Sequence, residues 1–466
     1  MDNTDINIDP TSAKISEDVY THLPDEKIRE IVEIVYSQDT DIVHAALDDL
    51  STADMAELLS KIKDEDRQEL LSMYGDAIDP EIFAELDQEL CRAVLSAMSA
   101  TDVAKIISEL VSDDALLLIE TLNTDFRQDI IKKLSAKSRL VLEEGLSFPE
   151  DSAGRLMRRE LVAIPEFWTV GKTIDYLRTA SDTLPEEFFD IFIIDPLHHL
   201  TGEVPLNRLL RAKRSEKIRD LSLEEIHQVR SHTDQEEVAH MFRRDDMISA
   251  PVVDESGRLI GVITIDDIVD VIDEEAQEDI LRMAGVDQGD LYRAVISTTG
   301  TRFRWLFINL LTAVLASVVI SFFDATIQEI VSLAILMPIV ASMGGNAGTQ
   351  ALTVAVRAIA THELTGLNTW RVIWKETLVG TLNGILFATL TGILAALWFA
   401  SPILGLVIGM AMIINLIIAG LSGAGIPLLL HKMGSDPAVS STVLLTTITD
   451  VVGFLSFLGL AALLMI

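Results

Sequence analysis

A single cysteine, Cys91, stands in 466 residues, which excludes an internal disulfide framework and a cysteine-rich metal site. A small thiol buried in a helix is its expected role. Basic side chains are scarce as well: 36 Lys and Arg face 72 Asp and Glu, a net charge of −36. So acidic a chain repels phosphate backbones, and nucleic acid is excluded as a partner. The opening residues, MDNTDINIDP, hold neither a basic stretch nor an apolar run. No secretory signal is expected, and the acidic part is expected to stay in the cytoplasm. There is no P-loop, no nucleophile motif and no His–carboxylate set with catalytic spacing, so an enzyme is not expected.

What is present is unevenly placed. Residues 301–466 contain six bases and six acids, and residues 1–300 contain 30 bases and 66 acids. The whole net charge therefore lies in the first two thirds, and the last third is neutral and apolar. About 20 residues at 1.5 Å each cross a ~30 Å hydrocarbon core. Leu306 to Phe323, Ile330 to Val356 and Val439 to Ile466 each read as one span. Thr377 to Leu430 has no charged residue over 54 positions and reads as two, turning at Ser401-Pro402. Five transmembrane helices are expected. Arg302, Arg304, Arg357, Arg371, Lys375 and His431-Lys432 all flank the side of the acidic domain, while the other connections carry no base. The positive-inside rule then puts the N-terminus in the cytoplasm and the C-terminus outside.

Two features exceed what a passive anchor needs. The second span contains Met343-Gly344-Gly345-Asn346-Ala347-Gly348-Thr349-Gln350, small and polar residues tolerated in a membrane where helices pack closely or line a wet cavity. Asp450 lies eleven residues into the last span, after Thr446, Thr447 and Thr449. A carboxylate at that depth costs several kcal/mol unless it meets water or a cation. No basic residue lies at comparable depth in another span, so a cation from solution is the expected counter-charge. For Asn383 and Asn415, interhelical hydrogen bonds are expected.

In the acidic part, residues 20–145 show helical periodicity with short polar breaks. Leu50-Ser51-Thr52-Ala53-Asp54 recurs 48 residues later as Met98-Ser99-Ala100-Thr101-Asp102, the mark of a superhelical array. From about residue 150 strands and helices alternate, again duplicated: the segment from Ile193 to Leu206 is echoed 59 residues on, from Val252 to Ile265. The second copy, VVDESGRLIGVITIDDI, resembles a CBS domain, and the two copies resemble a tandem CBS pair. That resemblance implies an adenosine nucleotide such as ATP gripped by Thr264 and Asp267. The first copy has Pro205 and Arg208 there, which leaves one half-site. More than half the residues from Asp266 to Asp279 are carboxylates, and Asp267, Asp270, Glu274 and Glu278 share one helical face with Glu275 and Asp279 beside them. Like charges at such spacing destabilise a helix unless cations bridge them, and hard divalent ions suit oxygen ligands.

The segments PIVASMGGNAGTQALTVAVRAIA (Pro338 to Ala360) and IPLLLHKMGSDPAVSSTVLLTTITDVVGF (Ile426 to Phe454) resemble the signatures of the MgtE family of bacterial magnesium channels. The order of parts agrees. The resemblance covers about residues 25–466 and implies a multidomain membrane protein: an all-α superhelical N domain at 26–148, an α/β CBS-domain pair at 149–272, an acidic plug helix at 273–300 and a five-helix transmembrane domain at 301–466; residues 1–25 fall outside it and are expected to form a disordered acidic tail. It implies a homodimer in a bacterial inner membrane, in contact with lipid, with one Mg²⁺ pore on the two-fold axis lined by the second and fifth helices. The pore and ion-selectivity positions fall on Asp450, Asn346, Gly344, Gly345, Thr446 and Thr447. Regulatory Mg²⁺ ligands fall on Asp267, Asp270, Glu275, Glu278, Asp279 and Asp436. Lys105 replaces an acid common in the family's N domain. The competing readings are a transporter of Co²⁺, Ni²⁺ or Mn²⁺, and a membrane-anchored nucleotide-sensing CBS protein; an anchor would need neither Asp450 nor the Gly-Gly-Asn stretch.

Overall fold

The computed structural model describes residues 22–185, 187–286, 295–361, 363–364 and 368–465. The expected acidic tail at 1–25 lies almost wholly outside the described residues, as do residues 287–294 of the expected plug segment. The chain forms two compact units that meet in sequence at residues 268 and 269.

The first unit opens with short helices, from Asp25–Tyr36 to Ala136–Gly145, which close on a common core including Leu58, Leu59, Phe83, Leu95, Val103, Ile119 and Ile130. Burying each such side chain is worth roughly 1.5–3 kcal/mol. The 48-residue repeat is real at the level of capping. Ser51 accepts from the Asp54 backbone N–H at the start of Thr52–Lys61, and Ser99 accepts from that of Asp102 at the start of Ala100–Glu109. Cys91 is buried in Gln88–Ala97, and burial pushes its thiol up to about 12.

Two three-stranded sheets follow. Ala163–Pro165 runs parallel to Asp190–Ile194, which pairs antiparallel with Leu200–Pro205; Val229–Arg230, Ser249–Val253 and Leu259–Thr264 repeat the arrangement. The 59-residue offset extends to register and irregularity. Asp190 opposes Pro205 as Ser249 opposes Thr264, and the bulge at Ile193/Ile194 recurs at Val252/Val253. The copies also bond to each other reciprocally: Leu200 N–H donates to the Gly257 carbonyl (3.2 Å) and Leu259 N–H to the His198 carbonyl (2.9 Å). Exchanging the copies exchanges these two bonds, so the pair has local two-fold symmetry.

The Ile265–Ala284 helix continues out of the last strand into the second unit. There the long helices are Val295–Ser321, Ser332–Ala360, Thr369–Trp398, Pro402–Lys432 and Pro437–Leu464. The turn expected at Ser401-Pro402 is present: Thr369–Trp398 ends before it, and Ser401 caps the next helix by accepting from Leu404 N–H. Four of these helices are long and apolar enough to cross a membrane, the last over Ser441–Leu464. Ser332–Ala360, expected as the second of five spans, is not among them, although it is 29 residues long. Its glycines, Asn346 and Gln350 lower its apolar content. Pro402–Lys432 is the hub, packed along the second, third and last of the long helices with Met412, Asn415 and Leu416 fully buried. Val295–Ser321 turns Leu306, Leu310 and Val314 outward, as a lipid-facing helix does.

Candidate functional site

Asp450 lies on Pro437–Leu464 and is half-buried, and no described residue bonds or pairs with its carboxylate. The hydroxyls around it have spent their protons on their own helix. Thr446 donates to the Thr442 and Val443 carbonyls, Thr447 to Val443, and Thr449 to Leu445 and Thr446. Their oxygens keep lone pairs that can accept from water or contact a cation.

Close packing sets the height of Asp450 against Ser332–Ala360. A Cβ at Gly348 would stand 2.8 Å from Leu445, and Cβ atoms at Gly344 and Gly453 would both press on the Asn415 amide. The two helices therefore run antiparallel, with Asp450 between these contact levels, near the height of Gly345 and Asn346. Gly344 is buried in that contact, and Gly345 faces open space. Asn346 is exposed and donates to Ser342 Oγ (3.4 Å). Ser342, Asn346, Thr349 and Thr353 form one exposed polar stripe at helical spacing. Of the two asparagines expected to bond between helices, Asn415 donates to the Val340 carbonyl (2.8 Å), whereas Asn383 makes no side-chain hydrogen bond to a described residue.

Two groups that include expected regulatory acids each surround an arginine. Arg158 donates through Nε to Asp113 (3.0 Å) and through Nη2 to Asp266 (2.9 Å) and Asp267 (2.8 Å). Thr264 Oγ1 donates to Asp267 (2.8 Å), so the two residues expected to grip a nucleotide hold each other. Burial and then the Asp267 charge push the Asp113 carboxyl up to about 7; the same causes push Asp114 up to about 6. Asp267 is itself raised by burial, against the pull of Arg158. In the second unit Arg282 pairs with Asp436 (2.7 Å) and with Glu278, and Thr442 Oγ1 donates to the Met283 carbonyl (3.1 Å). Burial, then Asp436 and Glu275, push Asp279 up to about 6. Asp270 and Glu275 lie on the same helix between the two groups.

Among the described residues no group of three or more His, Cys, Asp or Glu side chains could hold a metal ion. The donor chemistry suits Mg²⁺, since every expected regulatory ligand is a carboxylate. The geometry within one chain instead gives the central place to a guanidinium. Sequence reasoning missed Arg158, Asp113, Asp114 and Arg282. Ser112-Asp113-Asp114 reads as an ordinary acidic helix start, and a lone arginine gives no sign of its distant partners.

Three stretches match family descriptions: residues 337–460 match MgtE, described as a divalent cation transporter, residues 50–151 the MgtE intracellular N domain, and residues 218–274 the CBS domain. The magnesium transporter MgtE of Thermus thermophilus is 36% identical over 445 residues, spanning 93% of this chain and 97% of its own. That of Bacillus subtilis is 28% identical, spanning 94% and 97%. The crystal structure of the cytosolic domain of the Mg²⁺ channel MgtE in complex with ATP aligns at 29% identity and a TM-score of 0.49, over 52% of this chain and 99% of that one. Matched from its N domain to its last helices, and 36% identical to a relative along nearly the full length of both, this chain belongs to the MgtE family.

Proposed function

We propose that the chain admits Mg²⁺ to the cytoplasm down its electrochemical gradient and closes when cytosolic Mg²⁺ rises. The observation that carries this reading is the Asp450 carboxylate, deep in an apolar helix with no counter-charge from any described residue. Mg²⁺ gives up its waters reluctantly, so a path for it must receive a largely hydrated ion. A carboxylate and threonine oxygens accept hydrogen bonds from that water shell, and the charge favours a divalent over a monovalent ion. A two-fold homodimer would bring two copies of Asp450 to one axis. The exposed stripe of Ser342, Asn346, Thr349 and Thr353 supports that assembly, because polar groups at membrane depth are tolerated where they face water or another chain. On this reading Ser332–Ala360 also crosses the membrane, as the second of five spans. The basic flanks then place the N-terminus in the cytoplasm and the C-terminus outside a bacterial inner membrane, with lipid around the helices. The protein acts as a transporter and not as an enzyme.

Closure follows from charge. Asp267, Asp270, Glu275, Glu278, Asp279 and Asp436 outnumber Arg158 and Arg282, with which Asp267, Glu278 and Asp436 pair, so a net repulsion remains when internal Mg²⁺ is low. Bound Mg²⁺ offsets that repulsion and favours the state in which the carboxylates lie together. ATP is proposed only as a ligand of the CBS pair at Thr264 and Asp267, outside the conduction path.

Purified full-length protein in vesicles, with Mg²⁺, Co²⁺ or Ca²⁺ outside and internal Mg²⁺ varied, tests the proposal. Mg²⁺ entry should be fast at low internal Mg²⁺, should stop as internal Mg²⁺ rises and should exceed Ca²⁺ entry. Entry of Co²⁺ without Mg²⁺, or no cation entry at all, would overturn it.

A further inference from the structure

Asn415 sits in the middle of Pro402–Lys432 with no exposed surface. Its Nδ2 donates to the Val340 carbonyl of Ser332–Ala360, and its Oδ1 is equally buried and has no hydrogen-bond partner among the described residues. An apolar side chain would fill this space without a desolvated oxygen, so packing alone does not account for an amide here. The surroundings show what the amide does. A Cβ at Gly344 would collide with Nδ2, and a Cβ at Gly453 would lie 2.9 Å from it. Gly344 belongs to the second long helix and Gly453 to the last, one turn beyond Asp450. One side chain of a third helix thus lies against both helices that carry the candidate ion path, within about one turn of its carboxylate. The directional bond to Val340 fixes the height of the second helix against the fourth, and Gly453 seats the last helix against the same amide.

We propose that Asn415 is a positioning residue for cation passage: it sets the height of the second and last long helices relative to each other and so holds Asp450 near Gly345 and Asn346. This rests on the reading of the chain as a Mg²⁺ pathway. Asn415 is not a ligand of the ion. Its loss should alter discrimination between cations more than the amount of folded protein, because placement errors of about 1 Å in a site cost on the order of 10²-fold.

The test measures the Mg²⁺ to Ca²⁺ entry ratio in vesicles, together with half-saturating Mg²⁺, maximal rate and oligomeric state. Asn415→Leu keeps the branching and number of heavy atoms, at a somewhat larger volume, and removes the donor; its ratio should fall by about ten-fold, with half-saturation shifted and assembly unchanged. Asn415→Asp, held neutral by its apolar surroundings, can still donate to Val340 and should restore most of the ratio. Gly453→Ala leaves Asn415 in place but pushes on its amide, and should shift the ratio in the same direction. If Asn415→Leu fails to assemble, Gly453→Ala decides. Parental ratios in whichever of these variants assemble would overturn the inference and leave the Mg²⁺ reading standing. A parent chain that passes no Mg²⁺ would overturn that reading, and the inference with it.

Discussion

Asp190 and Ser249 occupy equivalent positions in the two CBS copies and meet across them: Ser249 Oγ donates to Asp190 at 2.6 Å. Beside them Glu203 is buried, where its counterpart 59 residues on is the apolar Val262. Burial and then the Asp190 charge push the Glu203 carboxyl up to about 8. A carboxyl raised in this way binds its proton more tightly folded than unfolded. Its contribution is therefore intact below the unfolded value near 4.5 and is lost as pH rises toward 8. Glu203→Gln removes that slope, since an amide stays neutral throughout. Thermal melts of the detergent-solubilised protein should show the variant gaining stability over the parent as pH goes from 5 to 8.5, with a slope of at most about 1.4 kcal/mol for each pH step of one. Equal pH dependence in both would refute this account of Glu203. Nothing in the sequence separates Glu203 from a solvated surface acid, because the face of a strand that it occupies is decided by the second copy. Asp450 is the opposite case. It is legible from its neighbours alone, since no other acid is set within the last long apolar run.

Elements were legible where local chemistry decides them. The Ser51 and Ser99 caps, the Ser401-Pro402 turn and the strand pairs at an offset of 59 all follow from short-range patterns. How helices approach one another was not, because it depends on which residues face each other. The third and fourth long helices come close enough that a Cβ at Gly420 would lie 2.5 Å from the Glu376 carbonyl oxygen. Backbone cannot yield as a flexible side chain can. Gly420→Val should therefore separate the helices and cost about 1–3 kcal/mol, the usual penalty for overpacking. A clearly lowered melting temperature with reduced vesicle insertion is expected; parental stability would show that the approach is looser than these positions imply. The second long helix makes the same point. Its polar content keeps it below the apolarity of the other four, and that content includes the stripe that the proposed path requires.

At the scale of the whole molecule, the segregation of charge separates an acidic part from an apolar one at about residue 300, whereas the structure divides at residue 268 and leaves the carboxylates from Asp270 to Asp279 with the apolar helices. The carboxylates that dominate the composition were legible as a class, but their partners were not. Arg158 lies 109 residues from Asp267, and Arg282 lies 154 residues from Asp436, distances over which no local pattern carries. The central claim is that the charge of Asp450 draws a hydrated divalent ion into the membrane, and Asp450→Asn tests it, keeping size and one acceptor oxygen while removing the charge. Mg²⁺ entry into vesicles is the direct measurement, made on parent and variant matched for folded, assembled protein. Replacing the charge should lower the rate by at least about 10²-fold, as expected when a polar site loses its principal electrostatic contact. Parental Mg²⁺ entry through the Asp450→Asn chain would contradict the account.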